Sequence, residues 1–160
     1  MKKFRTYILV LANLLYSAAA GIGVYKMAVE IPQWFASPPA SFARILANAD
    51  AEVSFWIPLQ IALFVSLIGS LIFNWSVHRR RKLIFIAFGC YILVAIVTAV
   101  YFAPTIMEFG KIPPDTAASP ELISRAKMWL NLQWGRILLL LVGSVAALLA
   151  LATTSLRETE

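Results

Sequence analysis

Charged and metal-ligating residues are scarce in this 160-residue chain. Only 14% of its residues are charged and 61% are hydrophobic, whereas an average soluble domain has about 25% charged residues. His78 is the only histidine and Cys90 the only cysteine. A single thiol excludes an intrachain disulfide, and a single histidine excludes a bis-histidine haem and disfavours a zinc or iron site. We therefore predict no cofactor and no metal.

The hydrophobic residues are concentrated in four blocks along the chain. Each block is close to the ~20 apolar residues that a helix needs to cross a bilayer. We predict an all-α membrane protein, a four-transmembrane-helix bundle that forms one domain over residues 1–160. A short hairpin joins the second span to the third, and two longer loops lie on the other side. The predicted spans are residues 7–29, 53–77, 83–103 and 130–154.

The first block has an alternative interpretation as a secretory signal peptide. It has a basic start, an apolar core and the small-residue stretch from Ser17 to Gly21, which resembles a cleavage site. The apolar run continues past Gly21 as far as Val29, and this favours a membrane span. Gly21 and Gly23 also give the helix a small-residue face on which another helix could pack closely.

The basic residues predict how the chain is oriented. The net charge is +6, and most lysines and arginines flank the ends of the predicted spans. On the side of the termini we place eight basic and two acidic residues, and on the other side six of each. Cytoplasmic loops are enriched in Lys and Arg, so we expect both termini in the cytoplasm. We predict an integral, multi-pass protein of a bacterial inner membrane. Its expected partner is the lipid bilayer, and we expect no binding to nucleic acid.

Three local patterns predict helix boundaries. Residues 42–49 place their apolar side chains on one face, which predicts a short amphipathic helix lying on the membrane or capping the bundle. Pro104 predicts the end of the third span. Ser119, Pro120 and Glu121 have the N-cap residue, the first-turn proline and the first-turn acid of a helix start. The fourth helix is therefore expected to begin near residue 120, outside the membrane.

Aromatic and polar residues gather on the outer side of the predicted bundle, where they could form a site. Glu30 and Arg136 are the candidate catalytic residues. A flat aromatic ligand could stack on tryptophans, with Arg136 binding its anionic oxygen and Glu30 acting as a base. The alternative is a structural Glu30–Arg136 ion pair among interfacial aromatic residues. The candidate ligand-binding residues are Trp34, Trp56, Trp129, Asn131 and Trp134.

Two segments resemble a known family. They are Tyr101-Phe-Ala-Pro-Thr-Ile106 and Ala126-Lys-Met-Trp-Leu-Asn-Leu-Gln-Trp-Gly-Arg136. An aromatic-and-proline turn, followed by tryptophan, asparagine and arginine before a long aliphatic run, resembles the DUF1772 or anthrone-oxygenase-like family. Trp129, Asn131 or Trp134, and Arg136 match that pattern. The resemblance implies a small four-helix membrane protein, and some fungal relatives are linked to oxidation of anthrones to anthraquinones.

Three functions remain open at this point. The first is a binding protein that holds a lipid or another hydrophobic or aromatic molecule, or that packs in a homo- or hetero-oligomer within the membrane. The second is a cofactor-independent oxygenase acting on a polycyclic phenol, with Glu30 as base and Arg136 stabilising the oxyanion. The third is a small transporter, which the shortage of intramembrane charges disfavours. If Glu30 and Arg136 point to lipid, or lie more than ~10 Å apart without a cavity, the oxygenase is excluded.

Overall fold

Long helices account for most of the structure, a computed structural model that describes residues 2–153. Two π-helical turns, Lys26–Glu30 and Thr98–Phe102, connect α1 to α2 and α4 to α5 without a break in the helical path. A 3-10 turn, Ala40–Phe42, precedes α3. The helices are α1 (Lys2–Tyr25), α2 (Ile31–Trp34), α3 (Ala43–Phe73), α4 (His78–Val97), α5 (Ala103–Gly110) and α6 (Pro120–Ala152).

Four helical stretches in the described residues are long and apolar enough to cross a membrane. No strand occurs between residues 2 and 153. This all-helical architecture confirms the predicted fold class, a four-helix membrane bundle, and makes the chain an integral, multi-pass membrane protein. We refer to the stretches as spans one to four: Lys3–Trp34, Ala40–Phe73, His78–Gly110 and Pro120–Ala152.

Span two begins earlier than its hydropathy predicts. The expected separate amphipathic helix over residues 42–49 is wrong, because Ala43–Phe73 forms one uninterrupted helix. No glycine or proline stands between Ala43 and Ile57, so nothing in the backbone stops the helix at the membrane surface. The stretch instead forms the first turns of α3 and carries Glu52 on the same helix as Trp56.

Span three also continues beyond its expected end. Pro104 does not end it, because α5 extends to Gly110. Pro104 has no backbone N–H to donate, and the turn before it is π-helical, with the N–H of Ala103 bonded to the Thr98 carbonyl five residues back. A local π-helical adjustment of this kind lets a membrane helix continue through a proline, and α5 extends to Gly110.

The fourth helix begins at Pro120. The Ser119 Oγ accepts a hydrogen bond of 3.1 Å from the backbone N–H of Leu122, which is the contact of an N-cap residue. The predicted end of this span at Thr154 lies outside the described residues. So do Arg157, Glu158 and Glu160, which were counted in the charge comparison.

Close packing and a few polar contacts hold together the half of the bundle that is nearer to the hairpin between spans two and three. We call this the lower half. The fully buried Tyr16 of span one lies against Gly143 of span four, where a Cβ would overlap its ring and hydroxyl. The Tyr16 hydroxyl donates to the carbonyl of Ala87 in span three at 3.1 Å. The Asn13 side chain donates to the carbonyl of Ala147 at 2.9 Å. Spans one, three and four are therefore fixed relative to one another below the site described next.

Candidate functional site

We use the name outer half for the half of the bundle opposite the hairpin between spans two and three. It contains a cavity of about 550 Å³ to which all four spans contribute. This volume is within the ~300–1,000 Å³ typical of small-molecule sites. Most of the lining is aliphatic or aromatic, and polar side chains occur at a few points. The polar and tryptophan residues of the lining include Lys26, Trp34, Glu52, Trp56, Thr98, Trp129, Gln133 and Arg136.

Arg136 places a cation in this mostly apolar cavity. Its Nη1 donates to the hydroxyl of Thr98 at 3.3 Å, and its guanidinium carbon lies 5.2 Å from the centre of the Phe102 ring. Its Nε is buried and has no hydrogen-bond partner. No carboxylate among residues 2–153 forms an ion pair with Arg136. The guanidinium therefore retains an unused donor and an uncompensated positive charge.

Gln133 lies one helical turn before Arg136 and lines the same cavity. Its side chain is buried, with 3% of its surface exposed, and its Oε1 accepts no hydrogen bond. A buried polar atom without a partner costs about 1–3 kcal/mol, so most such atoms in proteins are paired. Gln133 and Arg136 thus bring one unpaired acceptor and one unpaired donor to the wall of the cavity.

Trp129 continues this face of span four towards the outer surface. It is 2% exposed, and its Nε1 donates to the carbonyl of Phe102 at 3.2 Å. Its ring contacts Phe102 edge-on at 5.7 Å between centroids. The cavity face of span four therefore includes Trp129, Gln133, Arg136 and Leu140 at the three- and four-residue spacing of a helix, together with Ile137.

A charged cluster lies at the outer end of the cavity. The Lys26 ammonium bonds to Glu30 Oε2 at 2.6 Å and also to Glu52 Oε1. Glu52 Oε2 in turn accepts from Trp56 Nε1 at 2.9 Å. Lys26 also lies 5.3 Å from the Trp34 ring centre. Spans one and two are thus joined by an ion cluster in which each carboxylate already has a partner.

The expected Glu30–Arg136 pair does not form. Glu30 bonds to Lys26 and does not line the cavity, whereas Arg136 bonds to Thr98 and does line it. The carboxylate at the cavity is Glu52, which the sequence analysis missed. Its spacing of four residues from Trp56, on an uninterrupted helix, is the signal that could have identified it.

Asn131 and Trp134 are also outside the site. Both side chains are exposed, Trp134 by 53%, and neither lines the cavity. At ~100° per residue, these positions fall on the opposite side of the helix from Gln133 and Arg136. Trp34, Trp56, Trp129 and Arg136, by contrast, are brought together around the cavity.

Both π-helical turns of the chain's described part border the cavity. Lys26 belongs to the first turn, and Thr98 and Phe102 belong to the second. A π-helical turn widens the helix locally and is frequent at functional sites. Here the two turns carry the residues that pair with Glu52 and Arg136. No group of three or more His, Cys, Asp or Glu suited to a metal ion occurs in residues 2–153.

Comparison with protein-family models, with curated proteins and with solved structures finds no match for this chain. The fold alone defines the class of this protein: a four-span α-helical membrane protein with a cavity in one half of its bundle. The resemblance to the DUF1772 family stays a prediction.

Proposed function

We propose that this protein binds a hydrophobic molecule of the bilayer in the cavity, with an oxygen of that molecule at Arg136 and Gln133. The observation that carries the proposal is the pair of enclosed, unpartnered polar atoms, Arg136 Nε and Gln133 Oε1, in a largely apolar cavity. A protein that used these residues only for structure would gain stability by pairing them or by replacing them with apolar side chains.

The two unpaired atoms indicate the chemistry of the ligand. Arg136 Nε is a donor, so it needs a carbonyl, hydroxyl or phenolate oxygen. Gln133 Oε1 is an acceptor, so it needs a donor such as a hydroxyl group. Trp34, Trp56 and Trp129 supply aromatic surface around the cavity. A ring bearing a hydroxyl or carbonyl oxygen and an apolar substituent is the ligand class that suits this combination.

Tryptophan fluorescence offers a direct binding test. Three of the five tryptophans line the cavity, and a naphthoquinone with a decyl chain is a suitable quenching probe. We expect saturable quenching in wild type. Arg136→Met should weaken binding about ten- to one-hundredfold, because a hydrogen bond to a charged group contributes about 1.5–3 kcal/mol.

Arg125→Met is the matched control for this titration. Arg125 is on the same helix and bonds to Glu108 at 2.8 Å on the surface, away from the cavity. It should leave the affinity for the naphthoquinone unchanged. Equal affinity in wild type and Arg136→Met, or quenching that does not saturate, would contradict the proposal.

A cofactor-independent oxygenase acting on a polycyclic phenol is the second candidate. It is favoured by the position of Arg136, where the guanidinium could stabilise a phenolate. It is weakened by Glu30, which does not line the cavity, and by Glu52, whose oxygens bond to Lys26 and Trp56. Anthrone is the probe: one anthrone and one O₂ give anthraquinone and water. Oxygen uptake lost in Arg136→Met would favour this candidate over binding alone.

We further propose a bacterial inner membrane as the location, with the termini and residues 78–82 in the cytoplasm. The support is the basic sequence His78-Arg-Arg-Arg-Lys82 in the hairpin between spans two and three. The cavity then faces the outer leaflet. Association with a second copy or with another membrane subunit is compatible with this orientation, since apolar side chains cover the outside of every span.

A further inference from the structure

We propose that the cavity opens sideways to the bilayer through a window between spans two and three, and that its ligand enters and leaves by this route. The inference rests on the proposed function, since a route needs a ligand. Contacts between neighbouring spans close the other sides of the cavity, whereas exposed apolar residues border this one.

The window has a lower and an upper edge. At the lower edge the Tyr91 hydroxyl of span three donates to the Gln60 carbonyl of span two at 3.0 Å. At the upper edge the Phe42 and Phe109 rings lie 5.2 Å apart, and a Cβ at Gly110 would lie 3.0 Å from the Leu46 side chain. Within the described residues, no hydrogen bond or ion pair joins spans two and three between these edges.

The opening is tall enough for a ring or an acyl chain. Leu46 and Gln60 are both on α3, and their separation along the helix is about 21 Å at ~1.5 Å per residue. A substituted ring or a single acyl chain is narrower than this. The distance between the two edges along the spans is therefore sufficient for such a group.

The sides of the window carry apolar residues that are exposed and also line the cavity. Span two contributes Val53, Ile57 and Ile61, which are 53% to 58% exposed. Span three contributes three exposed alanines at a spacing of four residues, which places them on one face. Because alanine does not extend beyond its Cβ, this face leaves a gap where larger residues would close it. The alanines are Ala95, Ala99 and Ala103.

The other sides of the cavity are closed by direct contacts. Spans one and two are joined by Lys26 and Glu52. Spans three and four are joined by Arg136 with Thr98 and by Trp129 with Phe102. Spans one and four share buried packing, since Ala20 and Leu140 belong to one core cluster and Met27 and Ile137 to another. Between spans two and three, no hydrogen bond or ion pair of the described residues lies between the two edges, so the opening is placed on this side.

The test attaches a bulky group to the window and removes it again. In a Cys90→Ala background, Ala99→Cys places one thiol at the window, and benzyl methanethiosulfonate adds a ring that dithiothreitol releases. Val100→Cys is the matched control, because Val100 is 74% exposed and does not line the cavity. Stopped-flow tryptophan quenching by the decyl naphthoquinone, in phosphatidylcholine nanodiscs, measures association and dissociation rates before labelling, after labelling and after reduction.

We expect the label at Ala99→Cys to slow both rates at least tenfold, with recovery on reduction and with no effect at Val100→Cys. Equal rates for the two labelled proteins would overturn the window. So would a loss of affinity with an unchanged or faster dissociation rate, since that result indicates a filled cavity and not a blocked route. Failure of the proposed function is a separate outcome, because the unlabelled wild-type protein would then not bind the naphthoquinone at all.

Discussion

Arg136 Nη1 donates to Thr98 Oγ1 at 3.3 Å, while Nε of the same guanidinium is enclosed without a partner. The Thr98 hydroxyl therefore pairs with only one of the guanidinium's N–H groups, and the rest of this cation lies in a mostly apolar cavity. A charged group within a membrane bundle is costly unless it is paired, so an incompletely paired one indicates a functional site. This half-satisfied arginine is the basis of the binding proposal.

Replacement of Gln133 should separate stability from function. Gln133→Leu removes a buried acceptor that has no partner, and an unmade hydrogen bond costs about 1–3 kcal/mol. We expect the free protein to unfold at a higher temperature and to bind the decyl naphthoquinone at least tenfold more weakly. Thermal unfolding in detergent and fluorescence titration measure the two effects.

Asn131→Leu is the control for this experiment, because Asn131 is an exposed amide on the same helix and lies outside the cavity. It should leave the affinity unchanged. A Gln133→Leu protein that is less stable than wild type, or that binds normally, would assign the glutamine a structural role.

Two glycines of span four should respond to alanine in opposite directions. A Cβ at Gly143 would overlap Tyr16, which is fully buried and bonded to Ala87. Overpacking of this kind costs about 1–3 kcal/mol, so Gly143→Ala should lower the unfolding temperature. At Gly135 a Cβ would meet no atom within 4 Å, and Gly135→Ala should gain up to about 1 kcal/mol of helix stability. Equal effects would argue against the Tyr16–Gly143 contact.

Loss of Lys26 should destabilise the outer end of the bundle. Lys26→Met leaves Glu30 and Glu52 as neighbouring carboxylates without their cation. Removing one partner of a buried ion pair costs about 3–5 kcal/mol, and the partial exposure of both carboxylates reduces this to about 2 kcal/mol. Chemical or thermal unfolding measures the loss, with the exposed Lys127→Met as the control.

A second substitution identifies the cause of that loss. Adding Glu52→Gln to Lys26→Met removes one of the two repelling charges, so the double variant should recover part of the stability. No recovery would mean that the lysine acts through its packing on Trp34, whose ring lies beneath the ammonium, and not through its charge.

The orientation can be tested with single thiols. In a Cys90→Ala background, His78→Cys reports the hairpin between spans two and three, and Asp115→Cys reports the loop before span four. If the termini are cytoplasmic, a membrane-impermeant maleimide should label only Asp115→Cys in intact spheroplasts and both proteins after lysis. Labelling of His78→Cys alone before lysis would reverse the orientation.

Hydropathy was enough to predict the number of spans and the fold class, because four apolar blocks in a short chain leave few alternatives. The helix ends were harder to predict. Pro104 normally disfavours a continuing helix, but the preceding π-helical turn places it where a proline is tolerated. Such a turn depends on tertiary packing and leaves no clear signal in the sequence.

The types of residue in the sequence were enough to predict at which end of the bundle the site lies. Tryptophans and an arginine at span ends indicated the outer half of the bundle, and Trp34, Trp56, Trp129 and Arg136 do surround its cavity. The sequence could not identify which carboxylate faces inward, because that depends on the rotation of each helix in the bundle. Glu52 faces the cavity for this reason and Glu30 does not.

Native mass spectrometry of the protein, extracted gently from its membrane, tests the central claim most directly. The account predicts one co-bound hydrophobic molecule with a hydroxyl or carbonyl oxygen in wild type and in Arg125→Met, and its loss from Arg136→Met. Two results would contradict the proposal that the cavity is a ligand site in which Arg136 binds the ligand. One is a wild-type protein that carries no such molecule, and the other is an Arg136→Met protein that retains it fully.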